Sequence, residues 1–237
     1  MDWFRYLLYF IAIAFVTWAL TQMEIAAPGS LKIHIVVSET DVLGTSEYSP
    51  LEIIQAIILG ACGVIMAWVA RYCPSQRPIA FGFGGLALIF LIRESDYFLD
   101  RFVADNAWQF LIGVFGALII AYTHRQRKRL TIALARIWPS PGLTLLFAGA
   151  VILFAFALLV GHEPLWQSIL GDNYLRVTKL AIEEFIELMG YFLWMVGTIE
   201  YAFEARAIAY RVPQPAARRR RDTRRRKSKS ADRLPSN

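Results

Sequence analysis

Leu51-Glu-Ile-Ile-Gln-Ala-Ile-Ile-Leu-Gly-Ala-Cys-Gly-Val-Ile-Met-Ala-Trp-Val-Ala70 carries only two strongly polar side chains, Glu52 and Gln55, both near its start. About 20 predominantly apolar residues, rising about 1.5 Å each, span the hydrocarbon core of a bilayer as one helix. Blocks of the same kind lie at 3–20, 78–98, 106–123, 143–161 and 180–201. Backbone amides in hydrocarbon need internal partners, which a helix supplies. A β-barrel would need alternating strands of about ten residues, and these continuous blocks do not alternate. The sequence therefore predicts an all-α integral membrane bundle of about six transmembrane helices.

Composition agrees. The chain has 237 residues, of which 57% are hydrophobic, and its mean hydropathy is +0.43. Soluble domains are nearer 45–50% apolar. The formal net charge of +6 owes much to the C-terminal run Arg218-Arg-Arg-Arg-Asp-Thr-Arg-Arg-Arg-Lys227. Other basic groups lie between blocks two and three (Arg71, Arg77) and between four and five (His124-Arg-Gln-Arg-Lys-Arg129, Arg136). If every block crosses, all three basic segments fall on one side. The positive-inside rule makes that side, and both termini, cytoplasmic. Trp3, Trp68 and Trp138 then mark the inner interface, and Trp18, Trp108 and Trp166 the outer one. The first block lacks a basic n-region beyond Arg5 and is longer and more aromatic than a usual signal-peptide core, so it is read as an uncleaved span.

The expected organisation is a six-helix membrane domain over 1–210, with an outer loop at 21–50, and a basic disordered cytoplasmic tail at 211–237. Within the loop, Leu31-Lys-Ile-His-Ile-Val-Val37 is suited to a short strand or hairpin and 41–46 to a turn. Cys62 and Cys73 would be about 16 Å apart on a continuous helix, too far for a disulfide, and lack zinc-site spacing. Gly60 with Gly63, Phe81-Gly-Phe-Gly-Gly85, and Gly113 with Gly116 have the small-residue spacing of close helix contacts; Gly190 and Gly197 suit close crossing or bending.

Two blocks carry charge where charge is expensive. Arg93-Glu-Ser-Asp-Tyr-Phe-Leu-Asp-Arg101 ends the third, and Lys179-Leu-Ala-Ile-Glu-Glu-Phe-Ile-Glu187 opens the sixth. Counting at 1.5 Å per residue puts Glu183 and Glu184 about 5 Å inside the outer boundary and Glu187 about 10 Å, with Arg93 and Glu94 at about 6–8 Å. Lys179, Glu183 and Glu187 share a helix face, which Tyr191 continues. Arg93, Asp96 and Asp100 would share another, with Glu94 displaced from it. Ser49-Pro-Leu-Glu52 reads as a capping box, and Gln55 lies one turn further in. The candidate ligand-binding cluster is therefore Glu52, Gln55, Arg93, Glu94, Asp96, Asp100, Lys179, Glu183, Glu184 and Glu187. An excess of acids so placed suits a proton, a cation or a small polar ligand. The plainer alternative is polar glue holding helices in register.

An intramembrane enzyme is a further alternative, using paired carboxylates or a Glu/His metal site. The chain contains no HExxH, Gly-x-Ser-x-Gly or Walker A sequence, and its histidines are His34, His124 and His162. No catalytic residue, metal ligand or cofactor is assigned. Expected partners are the lipid bilayer and, for the basic tail, anionic headgroups, with room for a second copy or another membrane protein. Nucleic acid is not expected, since no structured or aromatic element accompanies the basic run.

Glu52-Ile-Ile-Gln55, Arg93-Glu-Ser-Asp-Tyr-Phe-Leu-Asp100, Trp108, and Lys179 with Glu183-Glu-Phe-Ile-Glu-Leu-Met-Gly-Tyr191 resemble a group of uncharacterised six-span bacterial inner-membrane proteins. The likeness covers nearly the whole membrane region but not the tail. It implies a multi-pass protein of the inner (plasma) membrane and carries no activity. Intramembrane ceramidase-like hydrolases also combine several spans with acidic residues, but with a histidine pattern this chain lacks.

Overall fold

The computed structural model describes residues 2–31 and 49–211. The strand expected at 31–37, apart from Leu31, the turn at 41–46 and the basic tail after Arg211 lie outside them. Helix makes up 88% of what is described, and no strand occurs there. The elements are α1 (Asp2–Ala26), α2 (Pro50–Tyr72), α3 (Arg77–Glu94), α4 (Asp96–Phe102), α5 (Ala107–Arg125), α6 (Arg127–Ile137), α7 (Pro141–Val151), a π-helical stretch (Ile152–Ala157), α8 (Leu158–Gly161), α9 (Glu163–Leu170), a 3-10 turn (Gly171–Asn173) and α10 (Arg176–Arg211).

Four stretches are long and apolar enough to cross a membrane: Trp3–Ala26, Pro50–Tyr72, Ala107–Arg125 and Pro141–Gly161. The last runs through α7, the π-helical stretch and α8. Of the six blocks in the sequence, the third and sixth are not among these. The third is the 18-residue α3, which carries Arg77, Arg93 and Glu94. The sixth belongs to the 36-residue α10, whose carboxylates begin at Glu183 and recur to Glu204.

The packing explains how α10 carries them. Glu187, Leu188, Tyr191, Trp194, Thr198, Tyr201 and Ala205 are all buried. They recur at steps of one, three or four residues, a seam along one side of a helix. Across it, the Trp194 ring meets Phe83 and Phe90 of α3 edge-on, at centroid distances of 5.6 and 5.8 Å. On another side α7 lies so close that glycine is required. A Cβ on Gly197 would stand 2.7 Å from the Leu146 amide nitrogen, and one on Gly142 would strike the Tyr201 backbone. Gly190 faces Leu153 of the π-helical stretch, where a Cβ would come within 2.7 Å. Enclosed by α2, α3 and α7, this seam is shielded from whatever surrounds the molecule.

Other glycines singled out by spacing do something different. A Cβ at Gly60, Gly63, Gly113 or Gly116 would meet nothing within 4 Å, so these are not close-contact points. Within Phe81-Gly-Phe-Gly-Gly85, Gly84 abuts Met66 and Gly85 abuts Ile119, while Gly82 faces open space.

Helix ends follow local chemistry. Ser49 caps α2, its hydroxyl accepting the Glu52 amide at 3.0 Å, with Pro50 at the first helical position. Ser140 caps α7, accepting the Leu143 amide at 3.0 Å. Ser140 also donates to the Glu204 carboxylate, which accepts the Gly142 amide at 3.1 Å. A carboxylate of α10 thus answers one of the unpaired amides at the start of α7. The third block is not one helix: it breaks at Ser95, whose carbonyl accepts the Leu99 amide to begin α4.

Candidate functional site

The polar groups near the α3–α4 break and the first turns of α10 form a network joining three helices. From α10, Glu187 receives the Arg93 guanidinium of α3 through Oε1. One turn on, the Tyr191 hydroxyl donates to Glu94 Oε1 at 2.7 Å. Arg93 itself stands 3.9 Å from Glu94. From α2, the Gln55 amide donates to the Glu184 carboxylate at 3.2 Å and to the Glu184 carbonyl at 3.3 Å. Glu52 is close enough for its charge to act on both Glu94 and Glu184. Lys179 and Glu183 form an i, i+4 ion pair at 2.7 Å, with the Glu183 carboxylate against the end of α8 at Gly161. Their charges reach Glu187.

Eight of the ten residues read from the sequence thus lie within one neighbourhood. Asp96 and Asp100 differ. The predicted face of Arg93, Asp96 and Asp100 assumes an unbroken helix, but the break at Ser95 puts both aspartates on α4, which packs against α5. Asp96 is exposed and Asp100 half-buried. The carboxylate beside Arg93 is Glu94, the residue that helical periodicity had displaced.

Burial within the network is uneven. Gln55 is fully enclosed and Glu187 is 1% exposed. Each keeps one acceptor without a hydrogen-bond partner among the described residues: Gln55 Oε1 and Glu187 Oε2. Buried acceptors are costly to leave unmatched. Around them stand the carboxylates of Glu94, Glu184 and Glu187, and Arg93 contacts Glu187 and Glu94. Among the described residues, two enclosed acceptors of this arrangement are thus left without a donor.

A second polar group lies further along α10. Glu200, 3% exposed, accepts from Arg5 at 3.1 Å and from the Tyr9 hydroxyl at 2.8 Å, fastening α1 to the bundle. The Arg5 guanidinium also lies 5.0 Å from the Phe203 ring centre. Tyr201 donates its hydroxyl towards the carbonyl and side-chain oxygens of Gln76, at 3.2 and 3.3 Å. Sequence reading passed over this group. The signal was present: Glu200 and Glu204 are four apart, at and just beyond the end of the sixth block, and Arg5 is the one basic residue inside the first block.

Among the described residues, no group of three or more His, Cys, Asp or Glu side chains could hold a metal ion. His162 ends α8, next to the exposed Glu163, which accepts from Gln167 at 3.0 Å.

Comparison of the chain with protein-family models, with curated proteins and with solved structures finds no match.

Proposed function

We propose that the chain is a six-span protein of the bacterial inner membrane, with both termini in the cytoplasm, whose outward-facing acidic cluster binds a proton, a cation or a small polar ligand. The observation carrying this reading is the pair of enclosed acceptors left without a partner among the described residues, Gln55 Oε1 and Glu187 Oε2, beside the carboxylates of Glu94 and Glu184. Acceptors in excess call for a donor or a positive charge, and a species entering from water supplies either. The inner-membrane setting rests on the resemblance and the orientation on the basic connections.

The test is thermal unfolding of the purified protein in sodium, potassium, ammonium and choline chloride at equal ionic strength. The expected result is a midpoint raised by at least one of the small cations relative to choline in wild type. That increment disappears in Glu187→Gln and in Gln55→Leu. Arg93–Glu187, Tyr191–Glu94 and Gln55–Glu184 also tie α2, α3 and α10 together, which favours helix glue as the second reading. Glue alone predicts variants that lose stability equally in every salt, and that result would displace the binding reading.

A further inference from the structure

At one end of the bundle, α6 joins two membrane-crossing helices and is amphipathic. Leu130, Ala133, Leu134 and Ile137 turn towards the bundle, and Ala133 and Ile137 are buried. Its first turn and the end of α5 make the opposite kind of surface. His124, Arg125, Arg127, Lys128 and Arg129 are all exposed around one turn and line a shared cleft. The chain has no Asp or Glu between Asp105 and Glu163, so nothing in these three helices neutralises that turn.

Next to it along the chain, between α3, α5, α6 and α7, is a cavity of about 280 Å³. Gly82 and Leu86 of α3, Ile119 and Thr123 of α5, and Leu130 and Leu134 of α6 line it. From Ile79 at one end to Leu86 at the other is about 10 Å along α3. Its wall is apolar save for Thr123, whose neighbour His124 begins the basic turn. Thr123 and Leu130 of the apolar cavity therefore flank residues 124–129 of the basic turn directly in the chain.

We infer that this is a specific site for an anionic phospholipid, with the upper part of one acyl chain in the cavity and the phosphate on the basic turn. The occupant follows from the two chemistries and their order. A soluble anion has no use for the cavity. A neutral lipid leaves Arg127, Lys128 and Arg129 without a counter-charge among the described residues, and basic groups near a membrane surface gain about 1 kcal/mol each from anionic lipid. The inference needs only that α5 and α7 cross the membrane. It is independent of the acidic cluster.

The experiment is native mass spectrometry of the detergent-purified protein, equilibrated with equal amounts of dioleoyl phosphatidylglycerol and dioleoyl phosphatidylcholine. Wild type is expected to retain phosphatidylglycerol in preference by roughly tenfold, an increment about one to two basic contacts supply. Gly82→Leu fills the cavity from a position where a Cβ meets nothing within 4 Å, so the fold should persist and retention of phosphatidylglycerol should fall at least fivefold. Circular dichroism and an unchanged unfolding midpoint in lipid-free detergent check that folding. The triple variant Arg127→Gln, Lys128→Gln, Arg129→Gln should bring the two lipids to equal retention. Equal retention by wild type would overturn the inference, as would full retention by Gly82→Leu, or displacement by free glycerol phosphate at millimolar concentration.

Discussion

At Glu187 one carboxylate oxygen meets the Arg93 guanidinium and the other meets no partner among the described residues. The two halves of that side chain make separable predictions. Arg93→Gln removes the cation and leaves a buried carboxylate, which should lower unfolding stability by about 1.5–3 kcal/mol, the range for hydrogen bonds to charged groups. Glu187→Gln keeps a neutral acceptor for Arg93 and should lose less. The double variant should then fall short of the sum of the singles, and SDS titration of the folded protein in mixed micelles reads all four corners of the cycle. Additive effects would mean the two side chains do not support each other. Much of this was legible beforehand. Depth counting put Arg93 and Glu187 within about one helical turn of each other in height, and the expense of charge in apolar sequence argued for a partner. What misled was periodicity carried across Ser95. Helical phase is meaningful only within one helix, and Arg-Glu-Ser-Asp offers a serine and an aspartate that favour starting a new one.

At the scale of the helix, the contact between α7 and α10 is backbone against backbone. Gly197→Ala would bring a methyl group to 2.7 Å from the Leu146 nitrogen and 3.0 Å from the Gly142 carbonyl oxygen. Neither atom is the end of a flexible side chain, so the helices must separate. The expected loss is about 1–3 kcal/mol, typical of overpacking. Gly113→Ala should behave oppositely, since nothing lies within 4 Å of its added carbon. Relief of glycine's backbone freedom alone should stabilise α5 by about 0.5–1 kcal/mol. The same SDS titration compares the two, and equal losses at both positions would contradict the described packing. Spacing identified Gly190 and Gly197 but equally identified Gly60, Gly63, Gly113 and Gly116. Small residues permit close approach without revealing which face receives a neighbour. That depends on long-range packing, which local pattern does not encode.

For the whole molecule, the apolar blocks were legible because hydrocarbon thickness fixes their length, and the choice between four and six crossings turns on α3 and α10. Charge counted along the sequence argues against them. Charge enclosed by other helices does not, and α10 is walled by α2, α3 and α7, so six crossings remain physically consistent. The alternatives differ in sign at two exposed positions, Lys128 and Asp172. With six crossings and a cytoplasmic N-terminus, Lys128 faces the cytoplasm and Asp172 the outside. With only the four most apolar stretches crossing, the chain is inverted after α2, so Lys128 faces out and Asp172 in. A membrane-impermeant maleimide applied to intact cells should therefore label Asp172→Cys and spare Lys128→Cys, with the reverse in inside-out vesicles. The native thiols should stay silent. Cys62 is fully buried and Cys73 is 1% exposed. Burial also pushes the Cys73 thiol above its ordinary pKa, against the opposing pull of Arg206, so little reactive thiolate forms near neutral pH and any residual labelling should rise with pH. Labelling of Lys128→Cys from outside would remove the six-span topology.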